Sequence, residues 1–120
     1  MTRVLVCGDR NWTNWATIYR KLITISDPFI IEGHARGADI ISYHLRMGFE
    51  WPGLSTPADW ARYGKAAGPI RNQEQLDNGK PELGIAFHND IAHSKGTADM
   101  VRRLRKAGIP VEIITEQGDI

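Results

Sequence analysis

The chain has 120 residues, which leaves room for one domain and no more, here expected over 1–120. Apolar residues make up 42% and charged residues 24%, an ordinary globular composition that excludes intrinsic disorder. Fifteen Lys and Arg against fourteen Asp and Glu give a net charge of +1, and both halves of the chain are nearly balanced. A general nucleic-acid coat or a polybasic membrane binder needs a positive excess, so both are disfavoured, while a local basic pocket stays open. The lone cysteine, Cys7, has no internal disulfide partner, and the apolar run at the start is too short for a signal or membrane segment. The expected location is the cytoplasm. Four Trp among ten aromatics and twelve Gly are the unusual counts.

In chain order, Arg3–Cys7 is a compact aliphatic run closed by Gly8, as in a strand buried on both faces. A helix is expected from Asn14 to about Ile25, with Trp15, Ile18, Leu22 and Ile25 at helical spacing and Thr13 or Asn14 as its N-cap. Phe29–Glu32 reads as a second strand ending at Gly33. Ala38–Met47 carries Ala38, Ile41 and Leu45 on one face, and Gly48 is the expected residue just past its end. Phe49–Trp51 is a short third strand. Residues 52–68 are irregular, which predicts a short helix near Ala58–Tyr63 or a functional lid. Gly68-Pro69 opens a helix reaching about Asp77, with Pro at its first position. Leu83–Phe87 is the fourth strand, Thr97–Ala107 a helix closed by Gly108, and Val111–Ile114 the fifth strand. The basic residues at 102, 103, 105 and 106 read as a solvated face near a helix C-terminus.

Strands separated by helices predict an α/β, Rossmann-like three-layer domain with about five mainly parallel strands. Right-handed crossovers and one reversal of winding give the order 3-2-1-4-5, with the loops after strands 1 and 4 side by side at the switch point where such sheets bind ligands. Three loops at that edge combine glycine with polar or charged groups. Gly8 and Arg10 follow strand 1; Gly33, Arg36, Gly37 and Asp39 follow strand 2; Lys95, Gly96 and Thr97 open the last helix. Glycine permits close backbone approach, Arg bonds phosphate bidentately, and a helix start offers free N–H groups. Singly, each loop has a plain reading as a turn or cap. Together they point to a phosphate-bearing ligand.

Between Pro57 and Asn72 the sequence is dense in ligand-capable groups. Trp60 and Tyr63 either stack on a base or, the simpler expectation, pack a lid onto the sheet. Arg71 and Asn72 sit on the first turn of a helix, and Arg71 could instead pair with Asp59 or Glu74. No GxGxxG, GxxxxGK[ST] or GxSxG motif occurs. His88-x4-His93 with Asp90 lacks a third ligand at metal spacing, so neither metal nor cofactor is expected. Cys7 is expected to point into the core beside strand 4, without the electropositive exposure of a reactive thiol.

Gly8-x-Arg10-x-Trp12, Gly33-x-Ala35-Arg36-Gly37-Ala38-Asp39, Ala58-Asp59-Trp60, Gly64-Lys65-Ala66-Ala67-Gly68-Pro69-x-Arg71-Asn72, Ala86-Phe87 and Gly96-Thr97-Ala98-Asp99-Met100 occur in that order. This set resembles the small stand-alone YspA/YpsA-related branch of the SLOG superfamily, over about residues 3 to 114. The resemblance implies a Rossmann-like domain that binds nucleotides or nucleotide-derived ligands at the strand C-terminal edge. Relatives in the superfamily include phosphoribohydrolases, sensors of nucleotide signals and single-strand DNA-binding recombination mediators. Carried over, Gly8 and Arg10 match the first-loop motif, Arg36, Gly37 and Asp39 the second, and Arg71 and Asn72 the third. Gly96 and Thr97 match the phosphate-binding loop.

The sequence departs from the phosphoribohydrolases: their paired glycines give way to His88–His93, and Met100 stands at the glutamate position. Asp99 lies one residue earlier, about 100° round a helix. The resemblance therefore leads to nucleotide binding, with Arg36 and Arg71 clamping phosphate or ribose and Asp39 or Asp99 accepting ribose hydroxyls. N-glycosidic hydrolysis of a nucleoside monophosphate, with Asp99 or Asp39 catalytic, is the enzyme alternative. Single-strand DNA binding is a second one, which the near-zero charge disfavours. Related domains often pair through helices beside the site, so the resemblance also allows a homodimer. Trp12 and Trp60 fall inside these motifs and are expected to serve the site as well as the core.

Overall fold

The structure is a computed structural model, and it describes residues 1–116. Strands β1 (Thr2–Gly8), β2 (Pro28–Glu32), β3 (Gly53–Ser55), β4 (Leu83–Phe87) and β5 (Val111–Ile114) form one sheet in the order β3-β2-β1-β4-β5. Every neighbouring pair is parallel. The expected architecture and strand order hold.

Side-chain alternation along β1 shows why this strand lies at the centre. Val4 and Val6 point to one face, where they meet Ile18 and Leu22 of α1 (Trp15–Leu22) and Ala38 and Ile41 of α2 (Ala38–Gly48). Leu5 points to the other face with Ile31, where Met100 and Leu104 of α5 (Gly96–Lys106) cover it, and Leu76 of α4 (Ala67–Gly79) packs alongside. Both faces of β1 are thus dry, which is why its sequence is continuously aliphatic. Gly84 is needed here, since a Cβ on it would stand 2.6 Å from the Leu104 side chain.

Asn14 caps α1 by accepting from the Thr17 N–H at 3.1 Å. The helix stops at Leu22, earlier than the expected Ile25, and Trp15 is exposed rather than inward, stacked on His44 of α2. Helix α4 begins before the expected Pro69, because a 3-10 turn (Gly64–Ala66) runs straight into it. Proline is tolerated there because the first four helix amides have no intrahelical acceptor. The irregular stretch holds the expected short helix, α3 (Trp60–Tyr63), capped by Asp59, which accepts from the Arg62 N–H at 3.1 Å.

Two expectations fail for one reason. Phe49–Trp51 is not a strand; β3 lies further on, at Gly53–Ser55, paired through Ile30↔Gly53 and Glu32↔Ser55. Residues 49–51 instead close α2: the Glu50 N–H donates to Met47 O and the Trp51 N–H to Arg46 O. Glu50, not Gly48, occupies the left-handed position, at φ +56°. The aromatic pair that suggests a strand actually stacks along the turn, with Phe49 and Trp51 ring centroids 4.8 Å apart. Gly108 does fill its expected role after α5, at φ +78°, with its N–H on Arg105 O and that of Ile109 on Leu104 O. Glu50→Gly should therefore raise stability by about 0.5–1 kcal/mol, because only the Cβ is disfavoured there; thermal denaturation beside wild type checks it. No helix among the described residues is long and apolar enough to cross a membrane.

Candidate functional site

A cleft of about 950 Å³ opens at the C-terminal edge of the sheet, at the switch point between β1 and β4. The loops after these two strands adjoin, the Asp9 N–H donating to Phe87 O at 2.9 Å. Gly8 makes this approach possible, since a Cβ there would stand 2.7 Å from the Ala38 side chain and closer still to Phe87 O. Arg10 follows on the cleft rim, its guanidinium carbon 5.5 Å from the centroid of the Trp60 ring.

The loop after β2 supports the first loop from behind. Gly37 sits at φ +84° and ψ −128°, with its Cα against the Asp9 and Arg10 backbone. Asp9 O accepts from the Ala38 N–H at 3.2 Å, and the Arg36 Nε donates to Arg10 O at 3.2 Å. Arg36 thus lines the cleft while pinning the loop that carries Arg10. Gly33 and Gly37 shape the site without lining it.

Asp39, from the first turn of α2, is buried at the cleft wall. Its Oδ2 accepts from the Gly33 N–H at 3.0 Å and the Ala35 N–H at 3.4 Å. Burial pushes its carboxyl up to about 7; Arg71 opposes the shift and the nearby Glu32 adds to it. Arg71, on α4, donates through Nη1 to Gly33 O at 2.7 Å and to Thr56 O at 3.4 Å. Desolvation draws its guanidinium below the ordinary value, countered chiefly by Asp39. It does not make the alternative pairing with Asp59 or Glu74. Gly33 is glycine because a Cβ would stand 2.7 Å from the Arg71 guanidinium carbon.

Asn72 and Asp99 line the cleft yet serve mainly as a clasp between α4 and α5. Asn72 Nδ2 donates to Gly96 O and to Asp99 Oδ2, at 3.3 and 2.9 Å, and Asn72 Oδ1 accepts from Arg71 Nε. Asp99 also receives Arg102 and Arg103, at 3.0 and 2.8 Å. Partial burial works against the charged form, but these donors outweigh it and hold the carboxyl below its usual range. The basic run of α5 is therefore not wholly a solvated face: Arg103 ties to Asp99 and to Gln73 Oε1, and Arg102 lines the cleft.

At the start of α5, the Ser94 Oγ accepts from the Thr97 and Ala98 N–H groups at 3.1 and 3.3 Å. Two of the helix-start amides expected for an anion are thus capped from within. Lys95, Gly96 and Thr97 still line the cleft, and space beyond Gly96 is open, with no atom within 4 Å of where a Cβ would stand.

Of the aromatics, Trp60 is 49% exposed and stands on the cleft rim, so it does not pack a lid onto the sheet. Tyr63 is exposed as well and faces the Arg62 guanidinium, 5.0 Å from its centroid. Trp12 is core, 3% exposed, tilted against Phe87 and donating to Asn14 O. It does not reach the cleft. Cys7 lines the cleft, partly exposed, and also packs against the Leu5 side of the core; burial, with a smaller contribution from Asp39, pushes its thiol up.

Lys65, Gln75 and His88 line the cleft without having been singled out as site residues from sequence. Lys65 falls in the stretch already dense in ligand-capable groups, and Gln75 lies one turn beyond Arg71. Glu32 is a further surprise, a fully buried acid at the end of β2 that accepts from Ser55 Oγ and the His34 N–H. Its only sequence signal is an acid closing the run FIIE. His88 Nδ1 accepts from the Asp90 N–H, while the Asp90 carboxylate holds His93 and raises its pKa. Among the described residues no three His, Cys, Asp or Glu side chains gather as a metal site.

The lining carries Arg10, Arg36, Lys65, Arg71, Lys95 and Arg102 against Asp9, Asp39 and Asp99. A chain of net charge +1 therefore gathers a local cationic excess. Fold and cleft together define a doubly wound α/β domain with a basic cleft at its switch point. The chain belongs to the family of the Gene 61 protein of Mycobacterium phage D29, with which it is 36% identical over 121 residues. That similarity covers 92% of this chain and 94% of the phage protein. No protein-family model matches the chain, and no solved structure matches it.

Proposed function

We propose that the chain binds a nucleotide or nucleotide-derived small molecule in the switch-point cleft, as SLOG-type domains do, and that it works in the cytoplasm. One observation carries this reading. Arg10, Lys65 and Lys95 line the cleft, and none has an ion pair or hydrogen bond from its charged group among the described residues. Cations left without partners beside an open Trp face suit a phosphate with a stacking group attached. The volume is also of the size that takes a small ligand whole.

Calorimetry against ADP-ribose, NAD, cyclic nucleotides and nucleoside monophosphates tests the reading. At least one should bind, and Arg10→Ala should weaken it about tenfold or more while leaving stability within about 0.5 kcal/mol. Uniform failure to bind would overturn it.

N-glycosidic hydrolysis is the second reading, favoured by Asp39 alone. A carboxyl titrating near 7 beside a bound ribosyl group can act as a general acid, whereas Asp99 is occupied by three donors. Release of free base from a nucleoside monophosphate, abolished in Asp39→Asn, is its signature. DNA binding gains nothing from a net charge of +1.

A further inference from the structure

The cleft is graded from rim to floor. Arg10, Trp60, Lys65 and Lys95 at the rim are exposed, while Asp39, Gln75 and Thr97 further in are more than nine-tenths buried. The cleft's cations without a partner among the described residues are therefore at its mouth. Further in, the one cation beside Asp39 is Arg71, whose guanidinium is already bonded to Gly33 O, Thr56 O and Asn72 Oδ1.

Gln75 is the outlier among the floor residues. It is 2% exposed, and its amide nitrogen is buried with no hydrogen-bond partner. A buried polar atom without a partner is costly, and the side chain lines the cleft rather than a sealed core. Asp39 bonds through Oδ2 alone, and the hydroxyl of Thr97 has no protein partner among the described residues. One donor, one acceptor and one hydroxyl on the buried part of the cleft lining thus have no protein partner among the described residues.

We propose that Gln75, with Asp39 and Thr97, forms an inner subsite that takes the uncharged hydroxyl-bearing part of the ligand, a sugar ring, while the anionic part stays at the rim with Arg10, Lys65 and Lys95. The inference rests on the binding reading above and adds both an orientation and a residue to it. A phosphate lodged further in would lose water and meet only Arg71, already committed to Gly33 O, Thr56 O and Asn72 Oδ1, whereas at the rim it meets three cations without partners. Hydroxyls pushed inward can satisfy both the Gln75 donor and the Asp39 acceptor.

Gln75→Leu keeps the side-chain volume and removes the amide. Ribose 5-phosphate and inorganic pyrophosphate, titrated into wild type and variant, separate the two zones. Ribose 5-phosphate binding should weaken about tenfold in Gln75→Leu, and pyrophosphate binding should change less than about twofold. Equal weakening of both, or unchanged ribose 5-phosphate binding, would overturn the inner subsite while leaving the binding reading intact. A ligand-free readout decides the matter should neither compound bind. Removing an unsatisfied buried amide should raise Tm by about 4 °C, and Gln75→Met should raise it likewise. A fall in Tm for both variants would mean that the amide is satisfied within the fold, and the subsite would be withdrawn.

Discussion

Gly37→Ala should destabilise the domain by about 4 kcal/mol or more, the largest effect expected of a Gly→Ala change among the described residues. Two independent penalties add at this position. The backbone is at φ +84° and ψ −128°, a region that residues with a Cβ scarcely enter. The new carbon would also stand 2.6 Å from the Arg10 carbonyl carbon and nearer still to Asp9 O. These are backbone atoms of the loop leaving the central strand, so no side-chain rotation relieves the clash. The loop would have to move, and Arg10 with it. Denaturant unfolding gives the magnitude. A loss below about 1 kcal/mol would mean that the two loops do not touch as described.

Asp39→Asn should stabilise the protein above neutral pH and do little in acid. The sign follows from the carboxyl's rise from 3.8 to about 7. Between those values the folded state holds a proton that the unfolded chain releases, so stability falls as pH rises through this window. Below about pH 4 both states are protonated and the penalty vanishes. At 1.36 kcal/mol per pH unit the full penalty is bounded at about 4 kcal/mol. Asn keeps the oxygen that accepts from Gly33 and Ala35 but withdraws the charge opposing Arg71, so about 2 kcal/mol at pH 8 is the expected gain. Unfolding curves at pH 4, 6 and 8 check it. Destabilisation at pH 8 would show that an ionised Asp39 paired with Arg71 is worth more than its burial costs.

Both effects concern residues visible in the sequence whose roles the sequence splits only partly. Gly37 and Asp39 were expected to touch ligand. Gly37 instead holds the loop beneath Arg10, and Asp39 anchors its own turn before any ligand arrives. Asn72 and Asp99 changed role in the same way, because their hydrogen bonds are spent between α4 and α5. A one-dimensional motif marks positions that gather at a site without telling a contact from a support.

What the sequence determined by itself was the frame. Aliphatic runs ending in glycine specify strands dry on both faces, and helices between them favour parallel pairing by right-handed crossovers, with one reversal of winding covering both faces of the sheet. The strand order 3-2-1-4-5 and the convergence of the three glycine loops follow from those local facts. The edge strand β3 is expected too early in the chain, because Gly-Leu-Ser buries too little to impose a pattern while Phe49 and Trp51 imitate one.

Only the tertiary structure decided which charges and amides have partners. Net charge is a sum over the chain, but Arg10, Lys65 and Lys95 are unpaired because of where β1, the 3-10 turn and α5 place them. Gln75 is ordinary on a helix and becomes an orphaned amide only when β1, β2 and α5 pack against α4. Hydrogen bonding and desolvation depend on separation in space, which composition and periodicity do not carry.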